Sequence, residues 1–451
     1  MSQKSWIDFV VKYFFPLYLV AIVVALLSVS YLFGYLAAVG GLYTLGGALV
    51  AWDLYRDEGR FQLPVIATDR FFRITIILLC VGIVISSLTK AKFLPLLLVT
   101  GTGYTILTLQ TVSHQSSRST PRTLATLLAV FSFVPLSKLL TVKFYFGSGD
   151  LPSHVRAVQK LLASGSISAI SQRGYDSFPG LHIITGSLSE TIGVAPHDGL
   201  LILGMFVYLW FLLVVYVLVE RVVGDERIAL FAAIVLSTMP AFSYFSSYFF
   251  PQSFVVPLLV CLFLVLHMYG ATGRTEFVVI SYFLVSAAVI SHHFSIVVVL
   301  PVLLVIALIA RGIDGTGSVK TRPSLKLSPL IVTGVVAPGY WLYVGEQFVL
   351  AFTGYSANVL SYQTFASGSG EFSTVYHYGS EVFYGTQSTG GFIKQLLVYS
   401  NLYYLAVFSL FTLGFVHVLK NRERYRQITP WLIMSVASGV FLFKTPLVFK
   451  S

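Results

Sequence analysis

Side chains able to do chemistry are scarce in this chain, and the most informative group of them lies between Lys143 and His197. Asp150 stands after the flexible Gly147-Ser148-Gly149 and before Leu151-Pro152, with His154 four residues on. Arg156, Arg173, Tyr175 and Asp176 follow in the same stretch. A carboxylate one helical turn from an imidazole is a pair that can take, hold or pass a proton. Guanidinium groups nearby suit a phosphate, which they grip through two parallel hydrogen bonds. Each of these residues also has a plainer role. Asp before Leu-Pro is a common helix N-cap, a single His is an ordinary packing residue, and loop cations face water or lipid phosphate. A second polar feature, His292-His293, lies between two apolar runs, and Ser246–Gln252 forms another such turn. Polar groups at that depth are costly and often functional. Joined to Asp150 or His154, the His pair has ligand types suited to a divalent metal, but no spacing that specifies one.

Two amphipathic helices are needed to position these groups. Val155, Val158, Leu161 and Leu162 recur at helical spacing between Pro152 and Ala163, with Gly165 as the stop. Leu181, Ile184, Leu188 and Ile192 mark one side of a second helix from about Pro179 to Ile192. Two such helices in one loop are expected to lie on a membrane interface.

The frame that holds the loop is legible in composition. The chain has 451 residues, of which 56% are apolar and 10% charged, and its mean hydropathy is +0.83. No soluble fold has so little polar surface, and disorder, collagen, coiled coil and a disulfide scaffold are excluded by the same figures. The expected fold class is an all-α polytopic membrane protein. Spans are predicted at 14–33, 35–52, 71–89, 93–112, 124–142, 198–219, 228–245, 250–269, 277–291, 294–310, 328–345, 396–416 and 428–443, about thirteen crossings of about 20 residues each. Backbone groups must pair inside the bilayer, and strand alternation is absent, so these are helices. The formal net charge is +11. Most cations fall in alternate short loops, which predicts a cytoplasmic N-terminus and leaves the long segments 143–197 and 346–395 outside. The positive balance is thus an orientation signal with contact to anionic lipids, and no basic stretch interleaved with aromatics points to nucleic acid. The second outer segment is rich in Tyr, Ser, Gly and Thr, which suits stacking on sugar rings or anchoring at the interface. Cys80 and Cys261 sit in apolar runs as packing residues. Gly40-Gly41, Gly46-Gly47, Gly101 and Gly103 are placed to let helices approach closely. No phosphate-binding Gly-rich loop, zinc spacing or nucleophile elbow occurs.

The stretch with Asp150, His154, Gly165, Tyr175 and the run Phe178-Pro179-Gly180-Leu181-His182 resembles the first outer loop of GT-C glycosyltransferases, integral-membrane enzymes that use polyprenyl-phosphate sugars. The likeness is greatest to prokaryotic and archaeal members of the dolichyl-phosphate-mannose protein mannosyltransferase-like branch, and it covers roughly Leu124 to Arg311. Two departures stand out. Five predicted helices, four of them extra, precede the loop where that class has one helix, and Leu151 replaces the second acidic residue found beside the first in many members. The resemblance implies an N-terminal extension over residues 1–123, a GT-C-like core over 124–311 and C-terminal helices over 312–451.

It also implies a division of labour. Asp150 is the candidate general base on the acceptor hydroxyl. His154, Arg156, Arg173, Tyr175, Asp176, His292 and His293 are candidate substrate-binding residues, with Lys143 a further cation for the leaving phosphate. The implied partners are a polyprenyl-phosphate-linked sugar donor, a glycan, lipid or protein acceptor, and membrane lipids. The implied place is the plasma membrane with the site on the outer face. Two other readings share the architecture: a polysaccharide polymerase or ligase of the O-antigen type, which depends on outer Arg residues, and a lipid-linked sugar transporter or flippase. The predicted spans lack the buried ion pairs and broken-helix repeats that would mark a transport path.

Overall fold

The computed structural model describes residues 68–89, 93–112, 120–142, 151–170, 175–292, 327–346 and 349–350. The predicted spans 14–33, 35–52, 294–310, 396–416 and 428–443 lie outside the described residues, as do Gly40-Gly41, Gly46-Gly47 and most of the second outer segment. The described residues are helical, with no strand among them. They fall into two compact units.

The first unit contains α1 (Thr68–Thr89), α2 (Phe93–Val112), α3 (Thr120–Val142) and α7 (Glu226–Thr238). Within it Leu79, Val99 and Phe133 are buried together. Glycines set the spacing there, because a Cβ on Gly103 would stand 2.5 Å from the Val130 side chain. Without a hydrophobic drive between lipid-embedded helices, such close backbone approach is what holds them. Asp225 starts α7 by accepting hydrogen bonds from the backbone N–H groups of Arg227 (2.8 Å) and Ile228 (3.2 Å), the geometry of an N-cap. The buried Tyr104 hydroxyl donates to the Ser237 carbonyl at 3.3 Å, near the other end of the same helix.

The second unit holds α4 (Leu151–Ser164), a short 3₁₀ turn at Ile167–Ala169, α5 (Gly180–Ile192), α6 (Pro196–Val223), α8 (Pro240–Phe245), α9 (Pro251–Thr272), α10 (Thr275–Ser291) and α11 (Leu327–Tyr343). Four of these helices, α4, α5, α6 and α9, stop at glycines in the left-handed region: Gly165, Gly193, Gly224 and Gly273, with φ between 66° and 74°. The aromatic rings of Tyr208, Phe211, Phe242 and Phe249 pack edge-on or tilted between α6 and the turn after α8. The Ser246–Gln252 turn is therefore largely buried packing. Phe249 is fully enclosed, and Ser246 bonds back to the Ser243 carbonyl at 2.8 Å.

Arg70–Thr89, Pro196–Val223 and Pro251–Thr272 are long and apolar enough to cross a membrane, and Thr275–Ser291 is a shorter apolar helix. The structure thus supports an integral membrane protein while the count of about thirteen spans is not established by it. One predicted span is interrupted. The run 228–245 is not a single helix, because the chain leaves helical geometry at Met239 (φ −64°, ψ 129°) and restarts at Pro240. The residue before a proline is pushed toward extended backbone by the ring.

Candidate functional site

The two predicted loop helices form, and they differ in what they bury. Leu151–Ser164 turns Leu151, Val155, Ala157 and Val158 inward together with His154. Arg156, Gln159 and Lys160 face out. The second helix, Gly180–Ile192, does the reverse. Its enclosed residues are Gly180, Leu181, His182, Thr185, Gly186 and Ser189, whereas Ile183, Ile184 and Ile192 are exposed. Its exposed side thus mixes these isoleucines with Ser187, Glu190 and Thr191, the arrangement of a helix at a membrane interface.

Small residues let α5 sit closely on its neighbours at three points. A Cβ on Gly180 would collide with the Ser291 hydroxyl at the end of α10 and lie 3.2 Å from the Ile290 carbonyl. One on Gly186 would come 3.2 Å from Leu162 of α4, and one on Gly199, in the first turn of α6, would collide with Ser189. The turn before α5 is held by α11. The Tyr340 hydroxyl donates to the Ser177 carbonyl at 2.7 Å, and the Ser177 hydroxyl donates to the Val344 carbonyl at 3.0 Å. Phe178 is buried with its ring edge-on to Tyr340. The start of α6 and the ends of α10 and α11 therefore converge on one face of the unit, where α4 and α5 lie.

At the centre of that face two imidazoles meet. His154 Nδ1 and His182 Nε2 are 3.0 Å apart in a hydrogen bond, with His154 2% exposed and His182 fully enclosed. The half-buried Tyr175 ring closes the group, edge-on to both imidazoles at centroid distances of 4.8 and 5.6 Å. Burial lowers the His182 pKa from 6.5 to about 4, because the charged form loses its hydration. His182 is thus neutral near pH 7. Its other nitrogen, Nδ1, is buried without a hydrogen-bond partner, as are the hydroxyls of Thr185 and Ser189 on the same helix face.

Of the predicted site residues, the structure brings His154 and Tyr175 together. Arg156 and Asp176 are exposed, on α4 and in the turn before α5. His292 is buried at the C-terminal cap of α10, its N–H bonded to the Ala288 carbonyl at 3.1 Å, and it directly follows Ser291, which packs on Gly180. Asp150, Arg173, His293 and Lys143 lie outside the described residues. Among the described residues, no three His, Cys, Asp or Glu side chains come together in a way that would hold a metal. His182 appeared in the sequence as part of a Phe-Pro-Gly-Leu-His run and was not assigned a role. Ser177, Ser291 and Tyr340 gave no signal, since their partners lie up to 167 residues away.

These features define an integral membrane protein of apolar helices that carries a small buried polar centre on one face. Residues 183–341, from the second turn of α5 to the last turn of α11, match the family model of the dolichyl-phosphate-mannose-protein mannosyltransferases, which are membrane glycosyltransferases of the GT-C type. The matched segment takes in α6, the α9–α10 hairpin and the Ser291 and Tyr340 anchors, and it starts one residue after His182. No curated protein and no solved structure matches the chain at a significant level.

Proposed function

We propose that this protein transfers a sugar from a polyprenyl-phosphate donor to an acceptor hydroxyl on the outer face of the plasma membrane, with Asp150 as general base. The observation that carries the reading is the buried His154–His182–Tyr175 group, built on a helix that begins at the residue after Asp150 and braced by the family-matched segment. Asp150 removes the proton of the acceptor hydroxyl as its oxygen attacks the anomeric carbon. The bond from that carbon to the lipid phosphate oxygen breaks, and the phosphate leaves with the electron pair. It departs without protonation where cations stabilise it, a role for Arg156 on the exposed side of α4 together with Arg173, Lys143 and the His292-His293 pair. Tyr175 offers a flat ring against which a pyranose can stack. The exposed isoleucines of α5 suit a helix lying against the membrane, where a lipid-linked donor arrives.

The test is Asp150→Asn in native membranes supplied with a radiolabelled polyprenyl-phosphate sugar. Transfer is expected to fall by about 10²-fold or more at unchanged protein level, and near-normal transfer would sink the reading. Loss of activity on replacing Arg156 or Arg173, with Asp150→Asn tolerated, would point instead to a polymerase. Flipping in proteoliposomes without a new glycosidic bond would point to a transporter. The orientation is checked by a cysteine at Ser148, which an impermeant reagent is expected to label from outside intact cells.

A further inference from the structure

Four consecutive residues before α5 serve different neighbours. Tyr175 sets its ring against His154 and His182, Asp176 is exposed, Ser177 bonds to α11 and Phe178 is buried. The Phe178 N–H donates to the Tyr175 carbonyl at 3.1 Å and closes the four into a turn. The end of α11 holds that turn from outside. The Tyr340 hydroxyl reaches the Ser177 carbonyl at 2.7 Å, and the Ser177 hydroxyl reaches the Val344 carbonyl at 3.0 Å. The last carbonyls of a helix have no partner inside it, so Ser177 caps a helix end 167 residues further along the chain. Gly345 brings the Phe178 ring to the same place, since a Cβ there would stand 3.1 Å from it. Tyr340 falls within the family-matched segment, whereas Tyr175, His154 and His182 all precede it.

We propose that Tyr340 and Ser177 are positioning residues for sugar transfer, which act by holding the turn that sets the Tyr175 ring against the two imidazoles. The consequence for transfer rests on the transferase reading above. A group that meets substrate has to be held to within about 0.5 Å and 10–20° by residues whose own positions are locked. Tyr175 stands at the first position of a turn whose third residue is tied to α11 through both its carbonyl and its hydroxyl. The turn is fixed at its far end as well, because Gly180 sits directly on Ser291 of α10. The Tyr340 ring also packs edge-on against Phe178. Tyr340→Phe keeps that ring contact and removes the hydrogen bond alone, which separates positioning from packing.

The experiment uses the full-length protein in detergent micelles with 3-fluorotyrosine placed at position 175 alone. Its ¹⁹F resonance reports the surroundings of that ring and needs no activity. Tyr340→Phe and, separately, Ser177→Ala are expected to shift or split the resonance. Tyr282→Phe, at an exposed ring on α10, is expected to leave it in place. A resonance unchanged by both Tyr340→Phe and Ser177→Ala overturns the proposal. In transfer from a radiolabelled polyprenyl-phosphate sugar, Tyr340→Phe is expected to lower kcat/KM by about tenfold. With Tyr175→Ala already in the chain, the same substitution is expected to change kcat/KM by less than about twofold, because residues that act through one another are not additive. Effects that simply multiply would remove the positioning role. Should Asp150→Asn transfer sugar normally, the transferase reading fails, and the resonance still decides whether α11 holds Tyr175.

Discussion

The two loop helices are close in length and neighbours in sequence, yet they solve opposite problems. Leu151–Ser164 behaves like a helix of a water-soluble domain, with an apolar stripe inward and Arg156 and Lys160 outward. Gly180–Ile192 buries glycine, threonine, serine and histidine and leaves its isoleucines outside. The difference teaches that amphipathic periodicity does not decide what is buried: on the predicted side of α5, Leu181 is enclosed, Ile184 and Ile192 are exposed, and Leu188 lies between. For α4 the outside is polar, so the hydrophobic effect drives the apolar stripe inward. For α5 the exposed side mixes isoleucines with Ser187, Glu190 and Thr191, and close packing over small residues decides instead.

Truncation should break the symmetry between the two helices most sharply. Leu151→Ala, at a side chain 2% exposed, is expected to cost about 2–5 kcal/mol. Ile184→Ala on the exposed side of α5 should stay within about 0.5 kcal/mol. Reversible denaturant unfolding in mixed micelles measures both, and equal costs would erase the contrast.

Acid comes next in size. The folded-state pKa of His182 lies at about 4, below the unfolded 6.5. Between these values the unfolded chain binds a proton that the folded one refuses. The contribution is complete above pH 6.5 and is lost progressively as pH falls to 4, about 3 kcal/mol in all. Thermal unfolding at pH 7 and pH 4.5 should show the loss, and His182→Leu should flatten the dependence. The buried face of α5 is thus acid-sensitive through His182.

Adding volume probes the packing of α5 directly. Gly180→Val should cost about 1–3 kcal/mol, since its side chain meets Ser291 and the Ile290 carbonyl, and Ser291→Gly in the same chain should recover part of it. Gly165→Ala tests the end of α4, where φ is 66° and nothing stands within 4 Å of the new methyl. Its cost, read from the same unfolding curves, should be about 1 kcal/mol, from backbone conformation alone. Tyr340→Phe removes one hydrogen bond to the turn before α5 and should cost about 0.5–1.5 kcal/mol, with a larger effect on transfer than on unfolding.

Much of this arrangement could be read from the residues, for reasons that are local. Val155, Val158, Leu161 and Leu162 at helical spacing, with glycine at 165, specify where α4 runs and where it stops. His154 and Tyr175 stood out as chemically able side chains in a loop, and they meet. What stayed hidden depends on partners distant in sequence. His182 reads as one more polar residue of a helix until α4 is laid against it. Ser291 and Tyr340 read as ordinary residues of apolar runs until their hydroxyls reach the turn. The inverted burial of α5 was hidden for another reason, because its sequence says nothing about what solvent it faces. At Met239 the span prediction weighed hydropathy over 228–245 and passed over the constraint from Pro240.

The paired bonds between Ser177 and the end of α11 have a mechanical side. Two hydrogen bonds running in opposite senses, Tyr340 to Ser177 and Ser177 to Val344, resist both sliding and twisting of the turn against the helix. The chain from Gly345 leads on into the second long segment, and Ser177 is two residues from Tyr175 and five from His182. Loss of either bond is therefore expected to leave the turn that carries Tyr175 freer to shift against α11, a few residues from His182.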